Sequence, residues 1–582
     1  MKTITAELTD MVVEQLESLG ILSVLRKVEE VQICKNAKFG DFQSNHAFQI
    51  GKIQRTNPRQ VAETVKETFV DQEAFSEVSV AGPGFLNFRL SNDWLIHKLQ
   101  DMTNDPHRGI PQVSDKTMVI DYSSPNVAKR MHIGHMRSTI IGHTLDQMYR
   151  ASGWNVISDN HIGDWGTQFG KLMVSWREDM NAEDFERDPI GELERLYVRF
   201  GQSETPERLE LAKEETVKLQ QGDSENRRLW KHFIDVSMKE FNSVYDRLGI
   251  KFDVVLGESF YNDELPGVVS SLQEHGVAID SDGAVIIAFT KGLKPKMLSE
   301  TTLVIRKKDG AYLYGTTDLA TCEHRLNTWK PDEVIYVTDV RQQLHFQQVF
   351  KTWNDWRMKR GATEQEIGMP ILTHVWFGML KLPEGAMSTR AGNVIRLVDL
   401  LDEAVQRART VVDEKSRFLS EEQRIEIAES VGISSIRYAD LSQNPQTDVT
   451  FDWDKILSLE GNTAPFLMYS YARAKSILRK GGVTSPSVED LQINDDVERD
   501  LALLMLQFPI QVQAATSSHR PNILCEYLYA LASSFNRFYF SNPVLTAADP
   551  KVKAARLSMV EATLRVMEKG FSILGIRALD RM

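Results

Sequence analysis

His132 and His135 stand three residues apart around Gly134, inside the stretch SSPNVAKRMHIGHMRST, residues 123–139. Two imidazoles at that spacing can ligate a metal, donate hydrogen bonds to a phosphate, or merely cap a helix. Helical zinc pairs use a spacing of four with a glutamate between. Here Ile133 and Gly134 intervene, and no cysteine or Glu-x-x-His partner is near, which argues against a structural or catalytic metal. A phosphate fits better. Lys129 adds a full positive charge to the loop, and Gly134 leaves the backbone open for an adenine or ribose to lie against. Imidazole N–H groups at His132 and His135 can follow negative charge as it builds on phosphorus. The plainer reading, two half-buried polar residues capping a helix, stays open beside it.

The elements around this loop decide where it would sit. Upstream, TMVIDYSS is a short apolar strand; downstream, MRSTIIGHTLDQMYRASG places Ile140, Ile141, Leu145 and Met148 at helical spacing, closed by Gly153. WNVISDN then supplies a second strand, so the loop joins strand to helix in a βαβ unit of a parallel sheet. The amino end of that helix, at the carboxyl edge of the sheet, is where such folds bind nucleotides. DEVIYVTDV and MPILTHVWFGML are further buried-strand candidates. Between WNVISDN and DEVIYVTDV, roughly 175–300, the sequence is highly charged and reads as a solvated helical insertion.

Two flanking regions differ in character. Residues 1–110 read as a small α+β unit: an amphipathic helix with Val12, Val13, Leu16 and Leu19, then alternating apolar residues either side of Gly82-Pro83-Gly84. From 401 to 582 nearly everything reads as helix, for example Leu524, Leu528, Leu531, Phe535 and Phe538 on one stripe, which implies a helical bundle.

The chain has 582 residues, 68 basic and 81 acidic, for a net charge of −13. That total argues against coating nucleic acid at large but leaves room for a local basic face. No long apolar run and no signal sequence is apparent, so no membrane partner is expected. Cys34, Cys322 and Cys525 are isolated, which suits a reducing, cytoplasmic setting.

The four residues His132-Ile133-Gly134-His135 match the first signature of class I aminoacyl-tRNA synthetases, and the longer SSPNVAKRMHIGHMRSTIIG resembles the arginyl-tRNA synthetase form. The likeness runs through FGDFQSN, AGPGFLNFRL, NHIGDWGTQFGKL, SLEGNTAPFLMYSYARAKSILRK, ALASSFNRFYFSNPV and LGIRALDRM, in that order. It implies an α/β protein with three parts. These are an appended tRNA-binding domain at 1–110, a Rossmann-type parallel-sheet catalytic domain at 111–400, and an all-α anticodon-binding bundle at 401–582.

It also implies an activity: arginine is activated by ATP, with Mg2+ accompanying the nucleotide, and the arginyl group passes to the terminal adenosine of tRNA(Arg). His132, His135 and Lys129 match the family's phosphate-handling positions. Pro125, Asn126, Gly134, Gly163, Asp164, Gly166 and Gln168 match its nucleotide wall. Asp121, Ser123, Asn126, His135, Tyr314, Asp318 and Gln342 match its arginine site. Asp318 is read there as the carboxylate for the guanidinium fork, though outside the family it would read as an ordinary solvated acid. The second class I signature departs from its Lys-Met-Ser-Lys form: in GAMSTRAGN, residues 385–393, Ala386 and Thr389 replace the lysines. Met387 and Ser388 remain for ATP, and either Lys129 or Arg390 takes over from the missing lysines. Tyr469, Tyr471, Arg473, Arg479 and Met582 match tRNA contacts, the aromatic and basic mix suiting unstacked bases. A monomer is the expected state. A small-molecule nucleotidyltransferase and a catalytically dead RNA-binding relative are the alternatives. The long helical bundle speaks against the first, and the intact His132, His135, Lys129 and Asp318 against the second.

Overall fold

The computed structural model describes residues 2–69, 72–381, 395–417, 419–483 and 487–582. A four-stranded parallel sheet lies at the centre. Its strands are β1 (Thr117–Asp121), β2 (Asn155–Asp159), β3 (Glu333–Asp339) and β4 (Ile371–Phe377), in spatial order β4-β3-β1-β2. Both β1–β2 and β3–β1 pairs are parallel, with Asp121 opposite Asp159 on one side and Tyr336 on the other. Near-continuous apolar runs such as Met118-Val119-Ile120 build these strands because both faces of a parallel sheet are covered. Met118, Ile120, Ile335 and Val337 point to one layer, with α1 (Ile133–Ala151). Val119, Val334 and Tyr336 point to the other.

The chain leaves β1 toward β2 and returns to pair β3 on β1's other side. Strand order therefore reverses between β1 and β3, the place outside the carboxyl ends of the strands where folds of this kind bind ligands. The insertion between β2 and β3 contributes α2 (Pro189–Gln202) and α3 (Ser224–Leu248), the latter capped by the Asp223 side chain and closed by left-handed Gly249. Two more helices, α4 (Tyr314–Trp329) and α5 (Gln343–Lys359), flank β3.

One expectation fails here. The insertion is not helical throughout: Ile279–Ser281, Ala284–Ala288 and Thr302–Arg306 form an antiparallel sheet. Its hairpin turns at Asp282 and Gly283, both at positive φ, so an Asp-Gly turn between β-branched runs was the available signal.

At the amino end, helix Ile4–Ser18 packs with a four-stranded antiparallel sheet. At the carboxyl end, helices including α6 (Ala464–Lys480) and α7 (Pro550–Leu574) form the bundle, and one apolar core runs from the first domain through α1 into it. Helix Leu397–Lys415 is continuous, so the expected junction at 400 lies inside a helix rather than in a linker.

Candidate active site

The loop from Tyr122 to Met131 leaves the carboxyl end of β1 under strain. Ser123, Ser124 and Ala128 all take positive φ, which side chains other than glycine rarely adopt. Each is held by a side chain from elsewhere. The N–H of Ser123 donates to Ser138 Oγ (2.9 Å), that of Ser124 to Asn160 Oδ1 (3.1 Å), and that of Ala128 to Ser237 Oγ (2.9 Å). Strain persists only where surrounding contacts over-determine it, as they do here. Residues 125–127 also zip onto Gly163, which donates to Pro125 O and accepts from Val127 N. A Cβ on Gly163 would lie 2.3 Å from Asn126 Oδ1, so any larger residue would displace the Asn126 amide.

His132 is the N-cap of α1. Its Nδ1 accepts from Gly134 N (3.0 Å), while His135 Nδ1 accepts from His132 N (3.1 Å). The capping reading of these histidines is thus true, and it has a chemical consequence. Each Nδ1 is occupied as an acceptor, so each neutral ring carries its proton on Nε2. The rings lie 3.9 Å apart between centroids. Burial, helped by Lys129, holds both below the usual histidine range, His135 down to about 3. The result is two uncharged N–H donors at a helix amino terminus. Gly134 has a second reason to be glycine: a Cβ there would lie 2.7 Å from the His132 ring. Residues 131–133 bond to 395–397, so the chain leaving the second signature is anchored beside the first. Met387, Ser388 and Arg390 themselves lie outside the described residues.

Tyr314 and Asp318 meet at His345, which sequence reading missed. His345 Nε2 is 2.5 Å from Asp318 Oδ2, and the Tyr314 and His345 rings stand edge to face at 4.7 Å. Tyr314 is otherwise 62% exposed. Gln342, exposed at the end of β3, precedes α5 and makes no capping bond with its side chain. Glu258 was also missed: burial pushes its carboxyl up to about 7, with Asp318 and Asp164 adding repulsion against the pull of His161. Arg341, paired with Asp339 (2.6 Å), stands near enough to His132 to oppose its protonation.

Several expected contacts are spent inside the protein. Asp121 gives Oδ2 to Arg325 (2.6 Å) and Oδ1 to Ser124 Oγ (3.0 Å), and Arg325, fully buried, also binds Asp159 (2.7 Å). The Ser123 hydroxyl is shared between Tyr245 and Thr139, both at 2.8 Å. Asp164 turns both oxygens to Ser259, accepting from N (2.8 Å) and Oγ (2.6 Å). These contacts make all three side chains part of what shapes the loops. Gly166, at φ +117, starts helix Thr167–Asp179, and Gln168 Nε2 donates to Gly163 O at 3.4 Å.

At the far end of the chain, Tyr469, Arg473, Arg479 and Met582 line one cavity of about 500 Å³ with Tyr539 and Lys480. The Arg473 guanidinium lies over Tyr469 (4.8 Å), Tyr539 and Phe540 (both 5.3 Å). Tyr471 does not join them. It is 1% exposed, packs on Phe571 and donates to Glu568. Two residues along a helix is a rotation of about 200°, so Tyr471 faces the core while Arg473, four from Tyr469, shares its face.

Comparison with known proteins agrees along the whole chain. Residues 99–453 match the family model "tRNA synthetases class I (R), catalytic domain", 467–582 the "DALR anticodon binding domain" and 4–90 the "Arginyl tRNA synthetase N terminal domain". The chain is 43% identical to an arginine–tRNA ligase of Fusobacterium nucleatum, covering 100% of both, and 40% identical to one from Erwinia tasmaniensis, covering 95% of this chain and 96% of the relative. Its fold superposes on the arginyl-tRNA synthetase of Plasmodium falciparum with a TM-score of 0.81 at 26% identity, and on that of Thermus thermophilus with 0.81 at 24%, covering 100% of each chain.

Proposed function

This chain belongs to the arginyl-tRNA synthetases and is an arginine–tRNA ligase of class I; from that premise we propose how its own residues divide the work. ATP lies across the amino end of α1, its adenosine against Gly134 and the backbone of Pro125, Gly163, Gly166 and Gln168, with Mg2+ accompanying its phosphates. The guanidinium of arginine is taken by Asp318 and Tyr314, with Glu258 adding negative charge. Asn126 and Gln342 hold its ammonium and carboxylate. The arginine carboxylate attacks the α-phosphorus, the bond to pyrophosphate breaks, and arginyl-adenylate forms. The Nε2–H groups of His132 and His135 donate to the phosphorus oxygens as charge grows there, and Lys129 neutralises it. Arg390, with Met387 and Ser388, belongs to the second loop that closes on the leaving pyrophosphate. The arginyl group then passes to the hydroxyl of the terminal adenosine of tRNA(Arg), and AMP leaves. The cavity at Arg473 takes an unstacked base of the same RNA. The enzyme works as a monomer in the cytoplasm.

The observation that carries this reading is the pair of neutral imidazoles, each with Nε2–H free of the cap, at the start of a nineteen-residue helix. The experiment is arginine-dependent exchange of pyrophosphate into ATP, with and without tRNA(Arg). Exchange that requires the tRNA is expected, and equally fast exchange without it would count against the proposed coupling of the two ends.

A further inference from the structure

Lys129 and Arg130 are adjacent cations in opposite surroundings. Arg130 stands among three carboxylates: Nη2 donates to Asp188, and Glu194 and Glu240 lie at 3.5 and 3.7 Å. Its backbone N–H donates to Glu194 as well (2.6 Å). Lys129 forms no ion pair among the described residues. Its ammonium lies over the face of Tyr197 on α2, 4.8 Å from the ring centroid. The backbone on both sides is pinned, at Ala128 by Ser237 of α3 and at Arg130 by Glu194 of α2. Every one of these holders belongs to the insertion between β2 and β3.

We propose that Tyr197 is a positioning residue for activation, holding the Lys129 ammonium over its ring, unpaired and in place for the triphosphate. The proposal rests on Lys129 being the phosphate-binding cation of the loop. Its physical sense lies in the choice of partner. A carboxylate would compete with the incoming phosphate for the lysine. An aromatic face attracts the cation weakly, so it removes rotamer freedom beforehand and releases the charge on demand. The three acids nearby would be such competitors, but the Arg130 fork occupies them. The insertion is then more than a solvated attachment: it sorts two neighbouring cations into one that is neutralised and one that is available.

The test measures arginine-dependent pyrophosphate exchange in the presence of tRNA(Arg), with melting temperatures, for Tyr197→Phe, Tyr197→Leu, Lys129→Ala and the double variant Lys129→Ala/Tyr197→Leu. Tyr197→Phe keeps the ring and is expected within about two-fold of the parent, whereas Tyr197→Leu loses about three- to ten-fold. The loss falls on kcat and the ATP dependence and leaves the KM for arginine alone. Because the tyrosine acts through the lysine, the double variant is expected no slower than Lys129→Ala. A series of increasingly fluorinated phenylalanines at 197 preserves shape while weakening the ring face, and gives a graded decline. A flat series, or a Tyr197→Leu loss that persists in full without Lys129, overturns the positioning role. Slow Lys129→Ala with normal Tyr197→Leu overturns that role but leaves the lysine's own. Normal exchange by Lys129→Ala overturns both.

Discussion

The carboxyl edge of the sheet and the helical bundle handle charge in opposite ways. At the carboxyl edge of the sheet, acids are held in place: Asp318 by His345, half-buried Glu258 near enough to feel its charge, and Asp121 and Asp159 sharing the buried Arg325. Around Met582, the basic groups are open: Arg479 is exposed and Arg473 rests on three rings at the rim of a cavity. A small cation such as arginine must be stripped of water to be recognised, and a low-dielectric pocket with carboxylates in fixed positions does that. A polyanion keeps most of its hydration, and is met by exposed cations and aromatic faces. The difference teaches that the chain's acidic total belongs to no single surface, since each site sets its own local sign.

The sharpest way to break the comparison is to remove the carboxylate held by His345. Asp318→Ala is expected to lower kcat/KM for arginine by about a thousand-fold, in line with roughly 4 kcal/mol for truncating one partner of a desolvated charge pair. Binding of tRNA, measured by filter retention, stays as it was. Next in size is His135→Ala, which removes one uncharged donor and is expected to slow activation about a hundred-fold in single-turnover assays. In the bundle, Arg473→Ala raises the KM for tRNA about ten-fold with no change in arginine affinity, the scale of one lost stacking contact. Tyr471→Phe serves as its control, because a buried tyrosine facing Glu568 has no route to the RNA. The smallest effect is on pH. Glu258 sits at about 7, so it is largely protonated at pH 6 and ionised at pH 8, and a cationic substrate prefers the ionised form. The KM for arginine therefore falls several-fold as pH rises through 7, and Glu258→Gln flattens the profile. His135, near 3, adds no inflection in that range.

Much of the fold is legible in the sequence. The strands at 117–121, 155–159, 333–339 and 371–377 stand out as short apolar runs, and the helix after His135 as an apolar stripe. The antiparallel hairpin at 279–288 was missed because a highly charged neighbourhood drew the whole segment into a helical reading, although Asp282-Gly283 marked the turn. In the site, the resemblance named Tyr314 and Asp318, which lie one turn apart on α4, but nothing in sequence announced that His345 would stand against both.

Local chemistry is written in the order of residues. That order specifies two histidines with a glycine between them at a helix start, a lysine three residues before the first, aromatics and bases along α6, and the alternation that builds the sheet. Those follow from residue type and period, which act within a few positions along the chain. How far each of those groups is engaged within the protein is set by folding. Asp121 meets Arg325 across 204 residues, Ser123 meets Tyr245 across 122, and Asp164 meets Ser259 across 95. Tyr471 turns inward because the bundle needs its ring, and among the described residues Lys129 has no ion pair, Arg130 taking Asp188, Glu194 and Glu240. A polar group is available to a ligand only when its own protein has not already satisfied it, and that depends on contacts that exist only once the chain has folded.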